Sequence, residues 1–496
     1  MSERSLASSI RSRLWGVALL AMASVCISTS VHATTSTASN PTLQLEACHV
    51  RGLPEQVECG YLTVPEDHLN ASERTLDIHV VRLPAVSSGK AADPLFFLAG
   101  GPGQAATELT PFIASIFSQV RQTRDIVLVD QRGTGKSNPL QCDVMDLDAL
   151  LVTEADVDLS AMMRECANAH DANFQHYHTV NAVHDFDAVR KALGYSKVNL
   201  YGGSYGTRAA LVWLREKPEG VRSAILDGVA PTQVVVGPFG AFSQQAYERL
   251  LADCAEEAAC AELFGDLDTT YQNLRASLRE NPQLVAYRDP RSDEHIEFLL
   301  TEYRLAGTLR NALYSPRSRQ LIPLAIRAAT QGDYRPLLGM MNSIDADQPL
   351  YIGLLLSVLC QEDIPRADEE LLARDRDNIF MGGQLTEDFI SMCGGWPVQA
   401  GDPRWAEPVV SDVPSLLLSG AQDPVTPPVW AELAAETLSN SQHLVAEHGG
   451  HTIVSHTCAN RLVASFLDNP NESLDGSCLE RTRRLPFVRN INAAGM

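Results

Sequence analysis

The sequence has no surplus of basic residues: 39 Lys and Arg stand against 61 Asp and Glu, a formal net charge of −22 over 496 residues. A chain with that balance has nothing with which to neutralise a run of phosphates, which excludes nucleic acid and anionic membranes as principal partners. It has no Cys-x-x-Cys pair, and its cysteine spacings are irregular, which argues against zinc modules. It has no internal repeat, and no low-complexity tract beyond a Ser/Thr-rich stretch at 34–41. Beyond the N-terminus no apolar run approaches the length of a membrane span. What remains is an ordinary globular composition, 45% hydrophobic and 20% charged, long enough for two or three domains or for one large domain with an insertion.

The N-terminus reads as an export signal. Arg4, Arg11 and Arg13 precede an apolar stretch from Leu14 to Ile27, and Val31-His32-Ala33 places small residues where a signal peptidase cuts. Cleavage is expected after Ala33, leaving a periplasmic or secreted protein. Cys26 follows Val25, a poor fit to the small residue that lipidation favours. Removing the signal leaves ten cysteines in sequence-local couples: Cys48 and Cys59, Cys142 and Cys166, Cys254 and Cys260, Cys360 and Cys393, Cys458 and Cys478. In an oxidising compartment an even count reads as five disulfides, with neighbour pairing the simplest of many possible connectivities.

Short apolar runs at 94–98, 125–130, 197–201 and 221–226 alternate with helical patterns at 182–193 and 207–215. That alternation predicts an α/β architecture, a mostly parallel sheet covered on both faces. From about Pro231 to Pro408 it gives way to helical segments such as 243–258 and 321–330, and it returns with a strand at 414–418. The expected organisation is a signal at 1–33, a sheet domain at 34–230, a mainly helical cap insertion at 231–408, and the rest of the sheet domain at 409–496.

Chemistry concentrates at the strand ends. Gly202-Gly203-Ser204-Tyr205-Gly206 lies between a strand and a helix, where a sharp turn exposes a serine hydroxyl and aims a helix N-terminus at nearby negative charge. A serine hydroxyl becomes a nucleophile when a base takes its proton and a carboxylate orients that base. Asp423 follows the strand 416–418, and His451 follows the next one, giving the order Ser, Asp, His. His448 competes with His451, which is favoured because it directly precedes the last helix. The backbone N–H of Tyr205 is one expected oxyanion donor. The loop Ala99-Gly100-Gly101-Pro102-Gly103 supplies the other, from Gly101 with Gly100 behind it, since Pro102 has no N–H. No metal and no cofactor is needed by this set.

These motifs resemble the proline iminopeptidase and tripeptidyl aminopeptidase branch of the α/β-hydrolases. The likeness runs from about residue 46 to 480. Gly100-Gly101-Pro102-Gly103 is similar to the family's His-Gly-Gly-Pro-Gly loop, Asp130-Gln131-Arg132-Gly133-Thr134-Gly135-Lys136-Ser137 to its Asp-Gln-Arg-Gly-x-Gly-x-Ser segment, and the elbow and the Asp423 and His451 loops to its triad. Ala99 departs from the pattern, standing where the family has a histidine. The resemblance implies the α/β-hydrolase fold and an exopeptidase that removes residues from peptide N-termini through an acyl-enzyme. It also implies carboxylates in the cap that hold the substrate's ammonium, for which Glu362 and Asp363 are the residues available; the rival reading makes them ordinary solvated acids. Asp130 and Arg132 are expected to brace the loop beside the site. Two other functions use the same residues or the same fold, a carboxylesterase and a catalytically silent binding protein.

Overall fold

The computed structural model describes residues 43–70, 74–142, 151–288, 293–344, 350–490 and 492. The expected export signal at 1–33 lies outside them. The described residues form eleven strands: β1 (Glu46–Cys48), β2 (Val57–Pro65), β3 (Thr75–Leu83), β4 (Leu95–Leu98), β5 (Ile126–Val129), β6 (Val198–Gly203), β7 (Val221–Asp227), β8 (Gln283–Arg288), β9 (His295–Leu300), β10 (Ser415–Gly420) and β11 (Ser441–Ala446). Nine of them form one sheet in the order β1-β2-β3-β5-β4-β6-β7-β10-β11. The pairs β1/β2, β2/β3 and β3/β5 are antiparallel, and every pair from β5 to β11 is parallel.

Residue choice follows from burial. The strands β4 (Leu-Phe-Phe-Leu) and β5 (Ile-Val-Leu-Val) are buried at every position, as parallel strands covered on both faces must be. Phe96, Leu98, Val127, Val129 and Leu200 face the helices Thr179–Ala192 and Tyr205–Glu216. Their neighbours Leu95, Phe97, Ile126, Leu128 and Tyr201 point the other way, toward the helices Thr110–Ile116 and Ala459–Asp468. After β4 the chain crosses to β5 on one side, and after β5 it returns to β6 on the other. The ends of β4 and β6 therefore flank a crevice at the point where the strand order reverses, the position at which open parallel sheets hold their ligands.

Between β7 and β10 the chain leaves the sheet. Helices including Gly240–Glu256, Leu267–Glu280, Glu302–Ala312 and Ile322–Thr330 gather a core of their own around Tyr247, Leu250, Tyr271, Leu305, Leu309 and Ile326. Two features depart from the sequence reading. The insertion holds an antiparallel hairpin, β8 with β9. It also packs in two places, because Leu354, Leu356, Val358, Trp396 and Trp405 join the cluster beneath the sheet rather than the helical one. The cause is the helix Ile352–Glu362, apolar nearly all round and buried from Gly353 to Glu362, which has no face to give to water. All five cysteine couples are disulfide-bonded as neighbours. No helix among the described residues is long and apolar enough to cross a membrane.

Candidate active site

Ser204 joins β6 to the helix Tyr205–Glu216 with φ 56° and ψ −126°, a left-handed backbone that few side-chain-bearing residues tolerate. Surrounding contacts impose it. A Cβ on Gly206 would lie 2.1 Å from the Leu98 carbonyl oxygen, and one on Gly202 would lie 2.3 Å from the Gly206 carbonyl oxygen. Glycine alone lets strand, turn and helix approach this closely. The Ser204 amide donates to the carbonyl of Asp227 at 2.9 Å, which ties the turn to the end of β7.

Asp423 and His451 come from the loops after the neighbouring strands β10 and β11. His451 Nδ1 is 2.8 Å from Asp423 Oδ2. The amides of Val425 and Thr426 donate to Asp423 Oδ1, both at 2.9 Å, and the Thr426 hydroxyl donates to Oδ2 at 2.7 Å. Burial pushes the carboxyl upward, but His451 and the Thr426 donors outweigh it and hold Asp423 below its ordinary value. His451 donates its amide to the Tyr314 carbonyl at 2.8 Å, and the Tyr314 ring meets the imidazole edge-on at 5.0 Å. His448 lies elsewhere, lining a small crevice with Arg319, Gln422 and Arg484, and its Nδ1 is buried without a partner. Asp423 thus receives His451 and not His448.

Ser204 makes no hydrogen bond with His451 among the described residues; each lies against the segment Asp227–Gly228. A Cβ there would sit 3.3 Å from His451 Cε1, and the preceding Asp227 carbonyl holds the Ser204 amide. Such contacts are often loose in a free enzyme and close around substrate.

The glycine loop after β4 lies against the same turn. A Cβ on Gly100 would be 3.2 Å from Ser204 Cβ and 3.1 Å from the Gly203 carbonyl oxygen. The Gly100 amide donates to Gln104 Oε1 at 3.1 Å. The amides of Gly101 and Tyr205 have no partner among the described residues, which leaves two donors beside the serine. The segment after β5 supports this loop. The Asp130 carboxylate accepts the Thr107 amide and hydroxyl, both at 2.8 Å, with His79 Nδ1 3.1 Å away. Arg132 forks onto Asp185 with two 2.7 Å contacts, and Gln131 Nε2 donates to the Tyr205 hydroxyl at 3.2 Å.

Glu362 and Asp363 are not solvated, contrary to one of the readings above: Glu362 is 4% exposed and Asp363 is 0% exposed. They differ in partners. Asp363 faces Arg208 with two 2.8 Å contacts and accepts the Val236 amide at 2.8 Å, so its charge is already matched. Among the described residues Glu362 accepts only from Thr179, the amide at 2.7 Å and the hydroxyl at 2.9 Å, and no cationic side chain lies within 4.0 Å of it. Burial pushes its carboxyl up to about 8, with the charge of Asp363 adding to the rise. The Thr179 hydroxyl is 2.6 Å from that of Tyr205, so one bridging hydroxyl separates Glu362 from the residue after Ser204.

Sequence reasoning passed over Asp227. Its carboxylate accepts the amides of Ile453 and Val454, at 2.8 and 3.0 Å, and the Tyr201 hydroxyl at 2.9 Å. Burial pushes it up to about 6. The signal available was an acid directly ending a buried apolar strand, Ile225-Leu226-Asp227. Among the described residues one trio has metal-ligand spacing, Cys142, Cys166 and His170, and both of its sulfurs belong to a disulfide.

An oriented imidazole, a hydroxyl on a strained turn and two unpaired amides can together support acyl transfer through a tetrahedral oxyanion. Comparison with known proteins agrees. A family model for the alpha/beta hydrolase fold matches residues 93–455. The chain is 27% identical over 454 residues to serine protease Hip1 of Mycobacterium tuberculosis, covering 82% of this chain and 85% of that protein. It is 29% identical over 193 residues to a tripeptidyl aminopeptidase of Streptomyces coelicolor, 36% of each chain. It is also 29% identical over 136 residues to a proline iminopeptidase of Neisseria gonorrhoeae, 27% of this chain and 32% of that one. These relatives support the resemblance to the serine exopeptidase branch. With a matched span well over half the chain, this protein belongs to the α/β-hydrolase fold family.

Proposed function

We propose that this protein is an exported serine aminopeptidase that releases a proline or a short peptide from the N-terminus of peptide substrates. Ser204 is the nucleophile, His451 the base and Asp423 the group that orients it. His451 takes the hydroxyl proton as Ser204 Oγ attacks the scissile carbonyl, and the Gly101 and Tyr205 amides receive the oxyanion. The same proton passes to the leaving amine as the C–N bond breaks. Water, deprotonated by His451, then hydrolyses the ester on Ser204.

The observation that carries this reading is the Asp423–His451 pair, set beside a strained serine with two unpartnered amides near it. The segment 231–408 serves as the cap, and Glu362 is its ammonium site: unlike Asp363 it has no cation, and an incoming ammonium supplies one. Five disulfides and the expected signal support export. The burial of Glu362 favours the rival carboxylesterase, which needs the triad and the oxyanion donors but no amine site.

Ser204→Ala is expected to lower turnover by about 10⁶-fold, the order seen when a triad serine is lost, and to abolish labelling by a fluorophosphonate. Near-normal activity in that variant would refute the assignment. Free-amine peptides should be cleaved far better than their N-acetylated forms, and equal rates would move the assignment to the esterase.

A further inference from the structure

Among the described residues, the buried arginines Arg124, Arg132, Arg190, Arg208, Arg275 and Arg319 each have a carboxylate within 3.3 Å. Arg310 does not. It stands on the cap helix Glu302–Ala312, 7% exposed, with no carboxylate within 4.0 Å. Its guanidinium lies over the rings of Phe239 and Tyr314, 5.0 and 5.3 Å from their centroids. Nη2 donates to the Tyr314 hydroxyl at 3.1 Å, Nη1 makes a long 3.4 Å contact with Asn311 Oδ1, and Nε is buried without any partner. Asp375 feels the charge of Arg310 from beyond ion-pair distance, and its carboxylate already accepts the Gly240 amide and the Thr386 hydroxyl, both at 2.6 Å. Two aromatic faces attract a guanidinium, but they do not neutralise it, so the cap holds a desolvated cation with an unfilled donor.

Its location gives this meaning. The Tyr314 ring that receives Arg310 also packs on His451, and the Tyr314 carbonyl accepts the His451 amide. The cation is thus one side chain beyond the proposed base. In acyl transfer from a serine, the base returns its proton to the leaving group, so the departing part of the substrate lies on the histidine's side. We propose that Arg310 is a specificity site for a carboxylate on the leaving portion of the substrate, whether the C-terminal carboxylate of a short peptide or an acidic side chain next to the cleaved bond. The inference rests on the triad reading above and narrows its substrate class to peptides that are anionic on the leaving side.

The test uses two matched peptide pairs cleaved by the wild-type enzyme. One pair differs in a free or amidated C-terminus, the other in Glu or Gln at the first residue after the cleaved bond. The anionic member of at least one pair should have the higher kcat/KM, on the order of tenfold for a charge-assisted contact, and the pair that responds identifies the source of the carboxylate. In Arg310→Gln the ratio should fall to near one, and in Arg310→Lys part of it should survive. Each ratio is taken within one enzyme, so partial misfolding or a displaced His451 cancels. A ratio near one in both wild-type pairs, or an unchanged ratio in Arg310→Gln, would overturn the proposal and leave Arg310 as a brace for Tyr314. If N-acetylated peptides are cleaved as well as free ones while the Arg310-dependent ratio persists, the aminopeptidase reading falls and the carboxylate site stands.

Discussion

Glu362→Gln is expected to stabilise the protein near neutral pH and above, by an amount that grows with pH. Burial pushes the carboxyl up to about 8 from an ordinary value of 4.5. The direction follows from proton counting. Between those two values the folded chain keeps the proton and the unfolded chain loses it, so folding takes up a proton and stability falls as pH rises. The slope is about 1.4 kcal/mol per pH unit, so the cost of keeping a carboxyl here is near zero at pH 4.5, roughly 3 kcal/mol at pH 7, and levels off near 5 kcal/mol above pH 8. Glutamine does not titrate and escapes that cost. It offers one acceptor oxygen where the carboxyl offers two to the Thr179 amide and hydroxyl, a loss of about 1 kcal/mol. Variant minus wild type should therefore run from slightly negative at pH 5 to about +2 kcal/mol at pH 7 and higher at pH 9. Denaturant unfolding with the disulfides intact, repeated at unit pH steps, measures the difference. A gap independent of pH would refute the reasoning, whatever its sign. A companion measurement addresses function: an ammonium beside Glu362 favours its ionised form, so a free-amine peptide binding to Ser204→Ala enzyme at pH 7 should release a proton. The double variant carrying Glu362→Gln should release none.

Two further outcomes are expected. Asp227→Asn keeps the shape but leaves a single acceptor oxygen for Ile453, Val454 and Tyr201, so kcat should fall on the order of ten- to hundredfold with little change in KM, read from initial rates across substrate concentration. Replacing Cys360 and Cys393 together by Ser opens a link across 33 residues that joins the buried helix Ile352–Glu362 to the helix Gln384–Gly395; denaturant unfolding should show a loss of about 3–4 kcal/mol, and thiol titration of the denatured wild type should find no free sulfhydryl.

The parts of the fold legible in the sequence were those in which one residue pattern had one physical outcome. Fully apolar runs such as Leu95–Leu98 and Ile126–Val129 can only be buried strands when glycines or charges stop them after four residues. The hairpin Gln283–Arg288 with His295–Leu300 was not legible, because Leu284 is exposed and the alternation of a two-stranded ribbon is weak beside the helices around it. The sequence carries a helical pattern over 453–467, but the chain forms a short turn, Ile453–Ser455, followed by Ala459–Asp468. The break falls at Thr457 and Cys458, where the Thr457 hydroxyl caps the Ala459 amide and Cys458 is tied to Cys478. Partners, not residue types, separated Glu362 from Asp363. Glu362 and Asp363 are adjacent in the chain and chemically alike, and only the position of Arg208, 155 residues away from Asp363, makes one a matched ion pair and leaves the other alone.

The end of β7 shows why the site residues are easier to name than the structure that aligns them. Ser204 and His451 lie nearly half the chain apart, and each could be found from its own glycine-flanked motif. Their relative placement depends on Asp227 and Gly228, which belong to neither motif. The Asp227 carbonyl holds the Ser204 amide, its carboxylate holds the amides that follow His451, and the Gly228 amide donates to Leu418 on β10, the strand that leads to Asp423. Gly228, with φ at +73°, also passes so close to the imidazole that a Cβ would meet Cε1 at 3.3 Å and the Thr426 hydroxyl at 3.0 Å. Ser204, Asp423 and His451 are therefore referenced to one strand terminus. An error there displaces all three together, whereas an error in any single motif displaces one.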